Sequence, residues 1–380
     1  MFEQFAHSID WTWAREIILT LYGLTIISII VIVISENRNP LKSLAWVTVL
    51  LLLPMVGVIL YLFFGRSIKN THKLSRRMRR RLRRKEVAPR EDKRALEVLE
   101  PESVQLIRLG KTLTGGHIYT GNSVEVFTNG RDKFDSLIRD LENARYSIHL
   151  EYYIFENDTI GSQIAEILIR RSLEGVRVRV IYDHVGSFSV KSKFFKRMRR
   201  AGIQVYPFFE VTFPQLGTRI NWRNHRKICV IDGRIGYLGG MNIADRYITG
   251  GKKFASWRDT HVRVTGPILA ALQHSFAVDW HFMNQPMPDE DYRFTTRRTG
   301  DIAAQLVTSG PTSQWSSIAH MFHKAIGSAR KRVYIQTPYF LPTDALLKVL
   351  ISAALAKVDV RILIPTKTDS PLLNFASASY

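Results

Sequence analysis

His225, Lys227 and Asn242 are residue types that together could transfer a phosphoryl group. All three lie in one stretch, NHRKICVIDGRIGYLGGMN (224–242), where His225 and Lys227 are two residues apart and would project from the same face of a β-strand. A neutral imidazole can attack phosphorus, while an ammonium and an amide can hold the non-bridging oxygens. The pattern predicts a nucleophilic histidine within a phosphate-binding site.

The rest of this stretch supports the same interpretation. Asp232 follows the apolar run ICVI, which would continue the strand into the core, and the pair Gly239 and Gly240 would let backbone N–H groups approach a ligand closely. His225 has no adjacent His or Cys at metal-ligand spacing, so we expect neither a metal nor another cofactor. Cys229 is the single cysteine, which excludes an intramolecular disulfide.

The stretch resembles the HxKxxxxD signature of the phospholipase D superfamily, with the spacing His225-x-Lys227-x4-Asp232-x6-Gly239-Gly240-x-Asn242. The resemblance implies two facing motifs, one per repeat, of which one histidine forms a phosphohistidine and the other protonates the leaving alcohol. It implies that His225 is the nucleophile and that Lys227, Asn242 and the two glycines bind the phosphate. Asp232 is the last residue of the catalytic motif. Under the resemblance, we expect its side chain to support the structure of the motif itself.

Downstream, the stretch WRDTHVRV (257–264) places Asp259 just before a β-like run. Under the resemblance, Asp259 corresponds to the acidic residue that hydrogen-bonds the nucleophilic histidine and fixes its tautomer. A surface salt bridge with Arg258 is the alternative. Glu151 and Asp183, which end or interrupt strands, could edge the same cleft, although such residues are more often structural.

From about residue 120, short β-rich runs alternate with helical ones, which is typical of a largely parallel sheet flanked by helices. The order is a β-run at 124–130, a helix at 134–144, a strand at 146–155, a helix at 161–175 and a strand at 176–183. The same order returns at 306–310, 329–340 and 358–365, where ARKRVYIQTPYF matches ARYSIHLEYYIF. This predicts a duplicated phospholipase D-like α/β domain with a mainly parallel or mixed sheet, a first repeat at 95–300 and an incomplete second repeat at 301–380.

Two apolar stretches open the chain, at 17–35 and 43–65, and each is close to the roughly 20 residues that an α-helix needs to cross a bilayer. Joined by a short polar loop, they predict a two-helix transmembrane hairpin over residues 1–65. A signal peptide and a buried soluble helix are the alternatives. Glu3 and Asp10 near the amino terminus, together with the second apolar stretch, argue against a signal peptide.

Residues 66–94 form a basic juxtamembrane segment, with fourteen Lys and Arg against three acidic residues. Next to a hydrophobic hairpin, this charge favours anionic lipid headgroups; a topology signal alone is the alternative, and nucleic acid is not expected as a partner. The positive charge after the second span places the downstream part of the chain in the cytoplasm. We therefore expect a multi-pass protein of the bacterial inner membrane with a cytoplasmic catalytic domain.

The second apolar stretch, together with EYYIF, RNHRKICVIDG and WRDTHV, is similar to bacterial cardiolipin synthases over nearly the whole chain. This resemblance implies transfer of a phosphatidyl group between two phosphatidylglycerol molecules, with release of glycerol. A phospholipase D-type hydrolase and a phosphatidylserine synthase are the alternatives within the superfamily. An inactive scaffold that binds anionic lipids is the alternative of another class.

A second histidine motif is expected in the second repeat, but the counterpart of His225 would fall beyond Tyr380. Three explanations stay open at this point. The sequence is a fragment of a longer protein, or it is a truncation without activity, or a partner chain, as in a homodimer, supplies the missing general acid.

Overall fold

The computed structural model describes residues 12–36, 40–61, 65, 99–210, 223–251, 254–288, 291–310, 313, 315–366, 368 and 370–380. The predicted basic segment at 66–94 lies outside the described residues. The chain divides into two compact units, of which one comprises residues 1–72 with 209–223 and the other residues 73–208 with 224–380.

Three helices are described in the N-terminal part, namely α1 (Thr12–Glu36), α2 (Pro40–Leu52) and α3 (Pro54–Leu60). The backbone leaves the helical region at Leu53 (φ −131°, ψ 67°), because the ring of Pro54 disfavours a helical conformation in the residue before it. Leu50 and Tyr61 are buried, and the rings of Trp46 and Tyr61 meet edge to face with centroids 5.4 Å apart. The second apolar stretch therefore forms two short helices that pack through these side chains.

Within the described residues, no helix combines the length and the apolar composition that a bilayer span requires. The predicted span at 17–35 lies within α1, and the predicted span at 43–65 is divided between α2 and α3, with 62–64 outside the described residues. The structure confirms helices at these places and leaves the transmembrane hairpin unconfirmed.

The first described helix of the second unit is α4 (Pro101–Thr114), and alternating strands and helices follow it. In chain order these are β1 (Ile118–Phe127), α5 (Gly130–Glu142), β2 (Ser147–Tyr152), α6 (Thr159–Leu173), β3 (Arg177–Asp183), α7 (Ser192–Arg200), β4 (Gln204–Phe208), β5 (Lys227–Ile231), β6 (Ile235–Gly239), α8 (Arg246–Thr249), β7 (His261–Thr265), α9 (Leu269–Phe282) and β8 (Ile302–Gln305). The side chains of Asn129 and Asp158 cap α5 and α6, because each accepts a first-turn backbone N–H at 3.0 Å. The elements predicted between 124 and 183 are thus confirmed, with boundaries shifted by a few residues.

Eight strands form one sheet in the order β4-β3-β2-β5-β6-β7-β1-β8. β2, β3 and β4 are parallel and connected through α6 and α7, whereas β5, β6, β7, β1 and β8 pair antiparallel. The predicted fold, a mainly parallel or mixed sheet flanked by helices, is therefore confirmed as a mixed sheet, of which β2, β3 and β4 form the parallel part. Connection length explains the difference, because the short loop 232–234 can only reverse the chain, whereas a parallel pair needs a long crossover.

Strand β5 is buried on both faces. Cys229 and Ile231 contribute to the hydrophobic cluster that includes α5 and α6, while Ile228 and Val230 contribute to the cluster that includes α9. Successive side chains of a strand point to opposite faces, so a strand covered on both sides must be apolar throughout. This explains the unbroken apolar run that comes after Lys227 in the sequence.

Asp232 occupies the turn between β5 and β6 and binds the backbone at the start of β2. Asp232 and Gly233 both have positive φ (53° and 63°), as the central residues of a type I′ turn do. The Asp232 carboxylate accepts the backbone N–H groups of Arg145, Tyr146 and Ser147 at 2.9, 2.7 and 2.9 Å. One side chain thus joins the end of β5 to the beginning of its neighbour.

The described chain ends with α10 (Ser317–Gly327), β9 (Arg332–Gln336), α11 (Asp344–Leu355), β10 (Asp359–Leu363) and α12 (Pro371–Ser377). β9 and β10 pair in parallel across α11, as β2 and β3 do across α6. The strands predicted at 329–340 and 358–365 are therefore present in the predicted order. β8, which comes from the stretch assigned to the second repeat, pairs instead with β1 in the large sheet.

Asp232→Ala is expected to destabilise the domain at the end of β5 that lies away from His225. The change leaves three backbone N–H groups without their charged acceptor, for which we expect a loss of about 2–4 kcal/mol in the free energy of unfolding. Denaturant unfolding measures this loss. Asp135→Ala, which removes an exposed carboxylate from α5, is the control. Equal effects of the two substitutions would contradict the role of Asp232.

Candidate active site

His225 lies in the irregular segment 223–226 that leads into β5, where Lys227 is the first strand residue. The predicted strand therefore begins two residues later than the motif. The His225 side chain is exposed, and its ring packs against that of Tyr153 with centroids 4.7 Å apart. An exposed imidazole with an aromatic ring behind it is accessible to a substrate and restricted in its orientation.

Lys227 lies directly behind the histidine and is 2% exposed. Its Nζ donates to the backbone carbonyl of His225 at 2.6 Å and lies 5.2 Å from the centre of the Tyr153 ring. Burial lowers the pKa of Lys227 to about 7, against the opposing effect of the carboxylates of Asp259 and Asp183. A phosphate bound here would favour the charged form of the lysine.

The protonation state of His225 suits a nucleophile. Partial burial lowers the pKa of His225 to about 4, and the neighbouring charge of Lys227 is the second cause. The surface of the ring that faces solvent remains open to a ligand. At pH 7 the imidazole is therefore neutral, which is the form that can attack phosphorus.

Asn224, the residue before the histidine, ties the loop to buried carboxyl groups. Its side-chain amide donates to Glu151 at 2.5 Å and to Asp279 at 3.2 Å. Its backbone N–H donates to Asp183 at 2.9 Å. Because these three acidic residues lie on β2, α9 and the end of β3, the position of His225 is fixed by three separate elements.

Glu151 and Asp279 form a carboxyl pair beneath the loop, and both are buried. Arg226, the residue after the histidine, forms an ion pair with Asp279. Burial, followed by the neighbouring Asp279, raises the pKa of Glu151 well above its ordinary value of 4.5. The neutral form of Glu151 is therefore favoured beside Asp279, which reduces the repulsion between two acidic groups in one buried site.

Gly239 and Gly240 make room for the next strand of the sheet. A Cβ atom on Gly240 would lie 2.1 Å from a carboxylate oxygen of Asp259, and one on Gly239 would lie 2.5 Å from the Cα of His261. The Gly240 N–H donates to the carbonyl of Thr260 at 2.9 Å. The pair therefore permits close packing of β6 on β7, and its predicted contact with phosphate stays a prediction.

Asp259 lies within electrostatic reach of Lys227 and raises the pKa of the lysine. Burial raises the pKa of Asp259 itself, and its carboxylate accepts the backbone N–H of Thr260 at 2.6 Å. In the part of the chain that the structure describes, Asp259 forms neither a hydrogen bond with His225 nor an ion pair with Arg258. Its predicted role in orienting the histidine stays a prediction.

Asn242 is 3% exposed and holds the segment that comes after β2. Its Oδ1 accepts the N–H of Ile154 at 3.0 Å, and its Nδ2 donates to the hydroxyl of Tyr247 at 2.5 Å. Because Ile154 directly follows Tyr153, this amide also helps to place the ring behind His225. Contact of Asn242 with a phosphate oxygen would require exchange of one of these partners.

The sequence profile of the family described as "Cardiolipin synthase, PLD-like domain" matches residues 137–280 and 322–380, which include His225 and its surroundings. The cardiolipin synthase of Oceanobacillus iheyensis is 40% identical over 95% of this chain and 78% of its own length. The chain belongs to the cardiolipin synthase family. The major cardiolipin synthase of Bacillus subtilis is 37% identical over 96% of this chain and 78% of its own length.

Two further comparisons extend the family match to the N-terminal part and to the fold. The profile described as "Phospholipase D-nuclease N-terminal" matches residues 23–66. The structure of phosphatidylserine synthase from Haemophilus influenzae Rd KW20 is similar with a TM-score of 0.52, over 73% of this chain and 71% of its own, at 14% identity. The α/β phospholipase D-like fold expected for a cardiolipin synthase relative is thus confirmed.

Sequence reasoning did not identify four residues that surround His225 in this member of the cardiolipin synthase family. Asn224 and Arg226 are immediate neighbours of the histidine, so their position was a usable signal. Asp279 is the one acidic residue of helix α9, and a buried acid needs a partner. Tyr153 could not be distinguished from any other aromatic residue that comes after a strand.

The structure separates the predicted catalytic set. Lys227 lies with His225, whereas Asp232 lies at the opposite end of β5 and binds the backbone of β2. Glu151 and Asp183, expected at the cleft or in structural roles, lie beneath the loop and hold Asn224. Among the described residues, no three His, Cys, Asp or Glu side chains converge as a metal site would require.

Glu151→Gln is expected to remove a pH-dependent loss of stability. A carboxyl group whose pKa is higher in the folded protein stabilises the fold fully below its unfolded value, near 4.5, and that contribution is lost as the pH rises toward the folded value. Relative to wild type, the free energy of unfolding of E151Q should therefore increase above about pH 5, by up to about 1.4 kcal/mol per pH unit.

Unfolding of both proteins at a series of pH values between about 5 and 8 measures this difference. Glu125→Gln is the matched control, because Glu125 is an exposed residue of β1. A constant difference between E151Q and wild type across this range would mean that Glu151 is ionised in the fold, which contradicts the assignment.

Proposed function

We propose that the protein is a cardiolipin synthase that transfers a phosphatidyl group from one phosphatidylglycerol to another and releases glycerol. Membership of the family and the names of the curated relatives support the reaction. The observation that carries the proposal is the neutral, exposed imidazole of His225 directly in front of the buried Lys227. This is the arrangement that nucleophilic attack on a phosphodiester needs.

In the first step, a ring nitrogen of His225 attacks the phosphorus atom, and the bond from phosphorus to the glycerol oxygen breaks. Glycerol leaves with a proton from a general acid, and the phosphatidyl group stays on the histidine. Lys227 binds the non-bridging oxygens, with the amide of Asn242 and the backbone near Gly239 and Gly240 as further donors. The general acid is expected from a second histidine motif, either in the second repeat or in a partner chain.

In the second step, a glycerol hydroxyl of the second phosphatidylglycerol attacks the same phosphorus atom. Its proton passes to the group that served as the acid, and the phosphorus–nitrogen bond breaks. Cardiolipin forms, and His225 returns to its neutral state. Because the nucleophile is neutral at pH 7, no proton has to leave the imidazole before the first attack.

The remaining motif residues support this chemistry indirectly. We assign to Asp232 the joining of β5 to β2, which its three backbone hydrogen bonds support. We assign to Asp259 the maintenance of charge on Lys227, with orientation of His225 as a further role when substrate is bound. No cofactor takes part in the proposed reaction.

We further propose that residues 1–65 insert as a transmembrane hairpin in the bacterial inner membrane, with the catalytic domain in the cytoplasm. The two apolar stretches and the fourteen Lys and Arg of 66–94 support this orientation. The basic segment would bind anionic phospholipids, phosphatidylglycerol among them. A homodimer is part of the proposal only where the second motif comes from a partner chain.

Hydrolysis and phosphatidylserine synthesis differ from the proposed reaction only in the nucleophile that resolves the phosphohistidine. Water would give phosphatidic acid, serine would give phosphatidylserine, and the second phosphatidylglycerol gives cardiolipin. An inactive scaffold would bind anionic vesicles and form neither product nor phosphohistidine. These outcomes are chemically distinct, so one assay separates them.

The full chain, and a form that also carries a second His-x-Lys motif, are to be reconstituted in phosphatidylglycerol vesicles with free serine present. We expect cardiolipin and glycerol in equal amounts, and a phosphatidyl group on His225 detected by mass spectrometry. His225→Ala is expected to lower the rate by at least about 10,000-fold, because it removes the nucleophile. His320→Ala, on α10, is the control. Phosphatidic acid or phosphatidylserine as the main product would overturn the transfer reaction, and vesicle binding without adduct would favour the scaffold.

The rate of phosphohistidine formation should depend on pH through two groups. With a pKa of about 4 for His225, the rate is expected to be limited by histidine protonation only in acid. With a pKa of about 7 for Lys227, the rate is expected to fall as the pH rises through neutrality, because the lysine loses its charge. Lys227→Arg keeps the charge at every pH and should abolish the alkaline decline, even if its rate at pH 7 is lower. The same alkaline decline in both proteins would exclude Lys227 as its source.

A further inference from the structure

Val185 and Phe188 form an exposed apolar pair on the loop 184–190, between β3 and α7. Phe188 is 79% exposed and Val185 is 38% exposed. A single exposed apolar residue needs no explanation, but a nearly bare aromatic ring beside a second apolar residue marks a surface that meets an apolar partner.

The loop that carries this pair is well fixed. The Asp183 carboxylate accepts the backbone N–H groups of Val185 and Gly186, both at 3.0 Å, and the hydroxyl of Ser187 accepts the N–H of Phe155 at 3.1 Å. These bonds hold the base of the loop, so the exposure of Phe188 is a property of the folded loop.

The same loop adjoins the nucleophile. A Cβ atom on Gly186 would lie 2.8 Å from the Cε2 atom of Tyr153, the ring that packs against His225. The other carboxylate oxygen of Asp183 accepts the backbone N–H of Asn224. The loop and the histidine are therefore held by the same two residues at one edge of the sheet.

Positive charge adjoins the apolar pair. Lys191, Lys193 and Lys196 are exposed, at and just beyond the start of α7, and α7 contains no acidic residue. Within the described residues, none of these three lysines forms an ion pair. The nearby acids are engaged elsewhere, since Glu166 pairs with Arg197 and Glu156 accepts from the Ser189 hydroxyl.

We propose that the loop 184–190 and the first turns of α7 form the surface with which the catalytic domain contacts an anionic bilayer. Phe188 and Val185 enter the interfacial layer, and Lys191, Lys193 and Lys196 bind lipid phosphates around them. An aromatic residue with adjacent lysines has the composition of an interfacial membrane contact, and the positive charge selects an anionic surface. This inference rests on the proposed function, in which the substrate is itself a bilayer lipid.

The contact explains how the reacting phosphate reaches His225. With Phe188 in the interface, His225, which adjoins the same loop through Tyr153, is brought to the level of the lipid headgroups. The phosphodiester of a phosphatidylglycerol is then attacked at the bilayer surface, and the acyl chains never leave the hydrocarbon layer.

The test uses a fluorescent label that reports an apolar environment, attached to cysteine. The native Cys229 is fully buried, so a cysteine introduced at an exposed position is the one that reacts. Phe188→Cys is the probe. Leu173→Cys is the matched control, because Leu173 is 73% exposed but ends α6, at the opposite end of β3 from the loop.

Each labelled full chain is to be reconstituted in phosphatidylcholine vesicles with and without phosphatidylglycerol. We expect the label at position 188 to shift to shorter wavelength in the anionic vesicles and to be quenched by spin-labelled lipids, while the label at 173 is unchanged. Replacing the three lysines with Glu should abolish the shift. A label at 188 that stays in water, or equal shifts at both positions, would overturn the proposal.

Two controls separate this inference from the proposed reaction. The shift must persist when His225→Ala is added, because insertion does not depend on catalysis. Phe188→Ser should weaken turnover of vesicle substrate and leave turnover of a soluble short-chain phosphatidylglycerol unchanged. A label at 188 that is already shielded in the absence of vesicles would mean that protein covers the loop, and would also overturn the proposal. Failure of the label to shift while cardiolipin still forms would reject the docking surface alone.

Discussion

Asn224 is the residue through which the fold determines the position of the nucleophile. Its amide and its backbone N–H reach the buried acids Glu151, Asp279 and Asp183, which belong to β2, α9 and β3. The described residues just before β5, 223–226, have no regular secondary structure, so these bonds take the place of a strand. The packing of α9 on the sheet therefore helps to position the nucleophile, although α9 contributes no reacting group.

Burial is the common cause of the protonation states around this loop. It raises the pKa of Glu151 and lowers the pKa values of His225 and Lys227, because the low dielectric of the protein interior disfavours the charged form of each group. All three shifts favour the uncharged form of the side chain. They give a neutral nucleophile, a carboxyl group (Glu151) whose neutral form is favoured beside Asp279, and a lysine whose charge depends on a nearby anion. A phosphodiester supplies that anion.

The sequence was sufficient for the features that depend on local pattern. The strands from β1 to β3, their helices and the motif around His225 could all be predicted, because periodicity and motif spacing lie within short windows. The partners of Asn224 could not, since contact with Asp279 depends on how α9 packs across the sheet. The antiparallel pairing of β5 with β2 could not be predicted either, because it depends on the connection from β4 to β5 and not on a local pattern. The apolar stretches of the N-terminal part predicted helices correctly, and Pro54 is the local signal for the interruption at Leu53.

The strand order of the sheet also determines the order in which the parts of this site can assemble during synthesis. β2 lies between β3, which comes after it with one helix between them, and β5, which leaves the ribosome only after α6, β3, α7 and β4. Until then, one edge of β2 has no hydrogen-bonding neighbour, and such an edge can pair with other chains. Glu151 belongs to that strand, and Asn224 and His225 immediately precede β5. Synthesis that stops short of β5 therefore produces a polypeptide that is both inert and prone to aggregate, and the catalytic centre is among the last features of the nascent domain to form.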